Sequence, residues 1–166
     1  MTADPFLILP LDGRARGGFD CTSDPLTRYF HTQVTQDIRR RIAACFIAVH
    51  QASGAIAGFY TLSAADIPLT DVPADLTRRL PRYPTLPAAR LGRLAVDRRF
   101  TGQKLGAALL ANAVVRAAVS EVAVFAMIVD AKDTAAEAFY RRHGFVAYGS
   151  APHRLIAPLS ALLPPG

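Results

Sequence analysis

Residues 91–110, LGRLAVDRRFTGQKLGAALL, constrain the fold of this chain more than any other stretch. Leu91, Leu94, Ala95 and Val96 read as a buried strand that ends at the charged run Asp97, Arg98, Arg99. Thr101 and Gly102 mark a turn, and an apolar helix is expected over residues 103–120. Past its first turn the polar positions of that helix are Asn112, Arg116 and Ser120. Their spacing predicts one narrow wet stripe on a helix otherwise packed against a sheet. The start of such a helix presents unpaired backbone N–H groups and the positive end of the dipole, and Gly102 and Gly106 let a ligand approach the backbone. A phosphate or pyrophosphate fits there. A plain strand-to-helix connection capped by Thr101 accounts for the same residues without a ligand.

Upstream, residues 6–11 read as a first strand closed by Asp12 and Gly13. Ser23 or Asp24 is set to cap a helix with Pro25 in its first turn. Leu26, Tyr29, Phe30, Val34, Ile38 and Ile42 recur at three and four, which predicts one amphipathic helix reaching Ile42. Arg39, Arg40 and Arg41 then fall in its last turn, where the dipole favours cations. Residues 43–49 and 55–63 read as a hairpin around Ser53 and Gly54. Residues 68–87 form a Pro-rich excursion with a short helix over 74–80, in character a functional loop bordering an acceptor site. Downstream, residues 122–129 read as a strand. The next helix begins at Asp133 or Thr134, with Thr134 and Glu137 fitting a capping box, and runs to His143 before Gly144. Strands from Phe145 and over 154–159, then a frayed Pro-rich C-terminus, complete a mixed α/β order without internal repeats.

A length of 166 residues suits one domain, 1–166. Hydrophobic residues at 51 % against 19 % charged exclude a disordered chain, and no apolar run is long enough for a membrane span. The N-terminal MTADPFLILP has no basic segment of the kind a signal peptide carries. Cys21 and Cys45 make neither a disulfide framework nor a zinc-ligand spacing, so a cytoplasmic protein without metal is expected. A net charge of +6 favours a polyanionic partner. Its arginines cluster at Arg39, Arg40, Arg41, at Arg78, Arg79, Arg82, and at Arg98, Arg99 with Lys104. Any one cluster reads equally well as a solvated face; the three together point to a phosphate-rich ligand.

Residues 101–106, TGQKLG, resemble the acyl-CoA-binding motif of the GNAT superfamily of N-acetyltransferases, Gln/Arg-x-x-Gly-x-Gly/Ala between a strand and a helix. Thr101 stands in the Gln/Arg position and Lys104 in that of the first Gly. Residues 133–145, DTAAEAFYRRHGF, resemble the second GNAT signature, Asn-x-x-Ala-x-x-x-Tyr-x-x-x-Gly-Phe, with Asp133 in place of Asn. Asp133, Ala136 and Tyr140 share one helix face. The resemblance implies a twisted mixed sheet flanked by helices, its central strands, residues 91–96 and 122–129, splayed to admit acetyl-CoA. By the same likeness Leu94, Ala95 and Val96 meet the acetyl-pantetheine arm, and Thr101, Gly102, Gln103, Lys104, Leu105 and Gly106 hold the pyrophosphate. Asp133, Ala136 and Phe139 complete the cofactor site, and Tyr140 is the general acid.

A narrower likeness covers nearly the whole chain. Phe19-Asp20-Cys21, Gly58-Phe59-Tyr60-Thr61-Leu62, Pro81-Arg82-Tyr83-Pro84 and the run from Leu91 to Asp97 are similar to the GNAT toxins of bacterial toxin–antitoxin pairs. These acetylate the amino group of aminoacyl-tRNA, block translation and are neutralised by a ribbon-helix-helix antitoxin. The resemblance implies aminoacyl-tRNA as acceptor, such an antitoxin as partner, and leaves room for a homodimer. Arg93, with Arg78, Arg79, Arg82, Arg98 and Arg99, would then contact acceptor-stem phosphates.

The implied reaction is direct attack of a neutral amine on a thioester, both substrates bound together. Deprotonating a Lys side chain at neutral pH costs about 4 kcal/mol, an α-amino group less than about 1 kcal/mol. No Glu or His is placed in sequence as an evident base, and an α-amine acceptor tolerates that. Two alternatives remain open at this stage: a GNAT acting on a small amine or a protein N-terminus, and a CoA- or antitoxin-binding module without turnover. A hydrolase is disfavoured, because there is no Gly-x-Ser-x-Gly elbow and His31, His50, His143 and His153 have no triad context. Cys21 and Cys45 read as small buried apolar residues.

Overall fold

Phe6–Pro10 forms strand β1, which pairs antiparallel with β2 (Ala44–His50), Phe6 opposite His50 and Pro10 opposite Phe46. The computed structural model describes residues 4–165, so the first three residues of the N-terminal stretch and Gly166 lie outside the described residues. β2 turns back on β3 (Ile56–Pro68), also antiparallel, through the expected hairpin. The other strands are β4 (Thr85–Val96), β5 (Ala126–Asp130), β6 (Val146–Ala147) and β7 (Arg154–Pro158). The order β1-β2-β3-β4-β5-β7-β6 makes one mixed sheet with helices flanking it. The chain gathers into two units, Met1–Ser63 with Gly92–Ala113 and Ala64–Leu91 with Val114–Gly166.

In the first unit the helix expected to reach Ile42 is two helices, α1 (Asp24–Thr32) and α2 (Val34–Arg39). Ser23 caps the first, its side chain accepting from the Leu26 N–H. The break comes where the Thr32 hydroxyl donates to the Arg28 carbonyl at 2.7 Å, a local back-bond that bends helices, and Gln33, at φ −115° and ψ −31°, stays in the helical region with its φ stretched. The core of this unit is aromatic. Phe59 stacks on Phe30 at 4.4 Å between centroids and meets Phe19 edge-on at 5.5 Å. Ile47, Val34 and both cysteines close the cluster. Burial raises the Cys45 thiol to about 12, so it stays a protonated, inert packing group.

Helix α4 (Leu105–Ala118) departs from expectation in two ways. It starts late, because Lys104 sits in the left-handed region at φ 62° and cannot be helical. The polar stripe is also not the wet one. Asn112 and Arg116 are half-buried, and the Tyr60 hydroxyl donates to Asn112 Oδ1 at 2.5 Å. Ala108, Ala111, Val115, Ala118 and Val119 face solvent instead. Asn112 is spent on satisfying a fully buried tyrosine, and alanines tolerate water at little cost.

In the second unit β4 begins before the expected Leu91 and takes in Pro87. A strand accepts this proline because only its carbonyl is used, receiving the Phe125 N–H at 3.0 Å. The Pro-rich excursion is correspondingly shorter, a 3-10 turn at Leu69–Asp71 and α3 at Ala74–Thr77. β5 pairs parallel with β4 from Ala88–Ala126 to Leu91–Val129, and residues 122–125 lie outside the strand expected over 122–129. There the Val122 N–H is tied to Ser120 Oγ in a turn. Helix α5 (Thr134–Arg142) is capped by Asp133, which accepts the Ala136 N–H at 2.8 Å. The expected Thr134–Glu137 box is not formed; Glu137 faces Arg141 and His153 at 3.8 and 3.5 Å. The C-terminal stretch expected to fray forms α6 (Leu159–Leu162), anchored by buried Leu159, whose N–H reaches the Phe125 carbonyl. Ile67, Leu86, Ala126, Ile128 and Ile156 form this unit's core. Among the described residues no helix is long and apolar enough to cross a membrane, and no group of His, Cys, Asp and Glu could hold a metal ion.

Candidate active site

The first unit carries the end of β4 and the loop after it. Two glycines allow backbones to close up here. A Cβ on Gly58 would lie 2.9 Å from both the Ala95 carbonyl oxygen and Leu109 Cδ1, and one on Gly92 would lie 2.9 Å from Thr61 Oγ1. Asp97 then ties the strand end down. Its carboxylate, 1 % exposed, accepts the Arg99 N–H and Nε at Oδ1, both 2.9 Å, and the Asp20 N–H at Oδ2, 3.0 Å. Burial pushes this carboxyl up, but the Arg99 and Asp20 hydrogen bonds outweigh it and hold the pKa below its usual value. Asp20 in turn accepts the Arg98 N–H on its carbonyl and pairs with Arg98 Nε at 3.0 Å. The Phe19-Asp20-Cys21 segment and the strand ending at Asp97 are thus one physical piece, although far apart in sequence.

The loop from Thr101 to Lys104 differs in character. Thr101 does not cap α4; its hydroxyl donates to the Arg98 carbonyl at 3.2 Å. Gly102 at φ 80° and Lys104 at φ 62° both take the left-handed region, which explains why glycine is common where Lys104 stands. Thr101, Gly102, Gln103 and Lys104 are all exposed, and Lys104 has no ion-pair partner among the described residues. The first N–H groups of α4, from Leu105 and Gly106, follow this turn. Leu94 and Val96 are half-buried and Ala95 is buried.

Arg93, on the same strand, lies over the ring of Tyr29, its guanidinium carbon 3.6 Å from the centroid. The Tyr29 hydroxyl donates to Asp37 Oδ2 at 2.7 Å, and Gln33 Nε2 donates to Oδ1 at 3.3 Å. Burial and the bond to Asp37 raise the Tyr29 pKa. Sequence reading passed over Asp37, Asp97 and Asp20 as site-forming groups. The signal for Asp97 was available, an acidic residue directly after a strand and followed by two arginines.

The second unit carries α5 and the Pro-rich excursion. Asp133 is the helix cap, Ala136 and Phe139 lie one and two turns on, and Tyr140 is 7 % exposed, packed edge-on against Phe139 and Phe145 at 5.1 and 5.5 Å. Burial alone raises its pKa, and its hydroxyl makes no hydrogen bond among the described residues. Gly144 at φ 100° ends the helix and turns Phe145 into the core. Asp130, at the end of β5, is held by Arg90 at 2.9 Å and Arg154 at 3.2 Å. In the excursion a cavity of about 350 Å³ is lined by Leu69, Ala74, Thr77, Arg78, Leu80 and Arg82. Arg78, Arg79 and Arg82 have no ion-pair partner among the described residues, whereas Arg98 and Arg99 are paired within the first unit.

The sequence pattern of acetyltransferase (GNAT) domains matches residues 41–147, more than half of the chain. The chain belongs to the GNAT acetyltransferases. A tRNA-acetylating toxin of Mycobacterium tuberculosis (strain ATCC 25618 / H37Rv) is 34 % identical over 103 residues, which are 61 % of this GNAT chain and 60 % of that protein, less than two thirds of its length. Among solved structures, AtaT complexed with acetyl-methionyl-tRNAfMet superposes with a TM-score of 0.85 at 27 % identity, covering 95 % of this chain and 96 % of that one. A mutant AtaT toxin bound to the C-terminus of the antitoxin AtaR and acetyl-CoA gives 0.78 at 26 % identity, covering 96 % of each chain.

Proposed function

We propose that this GNAT acetyltransferase is a cytoplasmic toxin that moves the acetyl group of acetyl-CoA to the α-amino group of aminoacyl-tRNA and so blocks translation, residues 1–166 acting as one domain. The observation that carries the reading is Tyr140: a buried phenol, kept protonated by its surroundings, with its hydroxyl unspent on the fold. A GNAT reaction needs a group of that kind, since a thiolate must leave and collect a proton. The likeness to AtaT, whose structures hold acetyl-methionyl-tRNAfMet and, separately, an antitoxin segment with acetyl-CoA, supports an aminoacyl-tRNA acceptor and an antitoxin partner, of the ribbon-helix-helix class that the toxin resemblance implies. A homodimer is part of the same reading.

The residues fit acetyl-CoA. The backbone N–H groups at the start of α4, the left-handed turn at Gly102 and Lys104, and the exposed Lys104 ammonium, without an ion-pair partner among the described residues, suit a pyrophosphate. Leu94, Ala95 and Val96 offer strand backbone to an extended arm, and Asp133, Ala136 and Phe139 line the helix face that carries Tyr140. Acetyl-CoA supplies an activated acyl group. The chain's residues align the acceptor amine and polarise the carbonyl through backbone N–H groups; as the amide bond forms and the carbon–sulfur bond breaks, Tyr140 gives its proton to the departing sulfur and is restored by the proton the amine sheds, directly or through solvent.

Arg78, Arg79 and Arg82 are the arginines we assign to tRNA phosphates, because no ion-pair partner neutralises them among the described residues. Arg93, Arg98 and Arg99 are engaged internally and contribute less. The test is transfer of labelled acetyl to a pool of aminoacyl-tRNA, with small amines and N-terminal peptides in parallel. We expect label on tRNA, lost when Arg78 and Arg79 are replaced by Glu with acetyl-CoA binding intact. Label on small amines alone would move the protein to the other acceptor class.

A further inference from the structure

Two helices in this molecule end in the same hydrogen-bonded cap and fill it in opposite ways. At the end of α5 the Phe145 N–H bonds the Tyr140 carbonyl and the Gly144 N–H bonds the Arg141 carbonyl. Glycine takes the left-handed position and the following phenylalanine is 2 % exposed, as this cap prefers. At the end of α2 the Ile42 N–H bonds the Asp37 carbonyl at 2.9 Å and the Arg41 N–H bonds the Ile38 carbonyl at 3.1 Å, the identical pattern. Here the left-handed residue is Arg41, at φ 59°, and the apolar residue after it, Ile42, is 57 % exposed.

The dipole explains a cation at Arg39, the last residue of α2. It does not explain an arginine in a backbone conformation that favours glycine, nor an isoleucine left in water beside it. Arg39, Arg40 and Arg41 are all exposed and have no ion-pair partner among the described residues. Asp37, the one acidic residue of α2, points inward to Tyr29 and Gln33 and cannot neutralise them. The result is three consecutive unpaired guanidiniums, fanned out by a helix end.

We propose that this helix end is a phosphodiester-binding ridge, through which the protein grips the backbone of an RNA duplex. Guanidinium groups bind phosphate in two-pronged fashion without reading bases. The ridge rests on the acceptor proposed above only in naming tRNA as the source of the duplex.

The test compares the intact chain with the triple variant Arg39→Gln, Arg40→Gln, Arg41→Gly, whose glycine keeps the cap in its preferred conformation. Affinity for a labelled short RNA duplex and for aminoacyl-tRNA is measured across about 50 to 200 mM salt, with acetyl-CoA affinity as the folding control. The variant should bind both RNAs more weakly, with the slope of log K against log salt shallower by about 2 to 3, and bind acetyl-CoA unchanged. Equal slopes and affinities for the two proteins would overturn the ridge, as would an intact chain that binds neither RNA. Competition by polyglutamate as effective as by RNA at equal charge would give the ridge to an acidic polypeptide instead. RNA binding through the ridge without acetyl transfer to charged tRNA would keep this inference and remove the acceptor reading.

Discussion

Tyr29 and Tyr140 are both buried, and both phenols are pushed above their ordinary pKa. Their surroundings differ in one respect. Tyr29 is covered by Arg93 and spends its proton on Asp37, so every polar contact around it closes within the chain. Tyr140 has aromatic rings for neighbours and no hydrogen-bond partner among the described residues. A buried hydroxyl normally finds a partner, and Tyr29 follows that rule; the Tyr140 hydroxyl is not among the buried polar atoms left without a partner, so its ring is buried while its oxygen stays accessible. The hydroxyl of Tyr140 is left available and that of Tyr29 is claimed by Asp37, which separates a residue suited to a ligand from one kept for the structure.

The largest effect expected from breaking that contrast is on rate. Tyr140→Phe removes a hydroxyl that stabilises nothing in the chain, so the urea midpoint should hold while kcat falls by about 10² to 10⁴. A midpoint that falls together with kcat would make the hydroxyl structural after all. Next in size is the strand end. Asp97→Ala leaves the Asp20 N–H and the Arg99 side chain without their acceptor and should cost about 3 kcal/mol, read by urea unfolding. The pH dependence has a definite sign. The folded pKa of Asp97 lies below the ordinary aspartate value of 3.8, so the carboxylate contributes stability above that pH, and the contribution disappears as pH falls through the lower folded value. Asp97→Asn should therefore flatten the acid limb of the stability curve below about pH 4.

Tyr29→Phe is the structural counterpart of the Tyr140 change and should invert its outcome. Asp37 would lose its shortest hydrogen bond while staying 9 % exposed, a loss of about 1 to 3 kcal/mol in stability, with kcat for the folded protein nearly unchanged. Equal rate losses from the two phenylalanines would erase the distinction between the tyrosines.

Much of this was legible in the sequence for a physical reason. Period-two and period-three-to-four patterns, turn glycines and the Ser23 and Gly144 helix ends are local, so β1, the β2–β3 hairpin, α5 and its cap could be read from neighbours in the chain. Tyr140, Ala136 and the 101–106 loop came from motifs that are also local. What stayed hidden depends on distant partners. Asp97 reads as a strand terminator until Asp20 is seen to bond to it, and Asn112 reads as solvated until Tyr60 is seen to claim it. The break at Gln33 escaped the pattern because the apolar spacing continues through it, while the Thr32 back-bond leaves no trace in periodicity.

Lys104 sharpens the comparison at its smallest scale, because there one residue is asked to serve both fold and ligand. Its φ of 62° is a conformation glycine adopts freely and a side chain adopts at a cost of about 1 kcal/mol. Its ammonium is exposed and unpaired, which adds nothing to folding and something to an anion bound at the start of α4. Lys104→Gly should therefore raise stability by about 1 kcal/mol while raising the KM for acetyl-CoA a few-fold, with kcat unchanged. Lys104→Ala separates the two contributions, since it keeps the backbone strain and removes only the charge: the same KM change with no gain in stability. If Lys104→Gly stabilises the protein and leaves KM where it was, the lysine is a strained loop residue and the pyrophosphate depends on the backbone N–H groups alone.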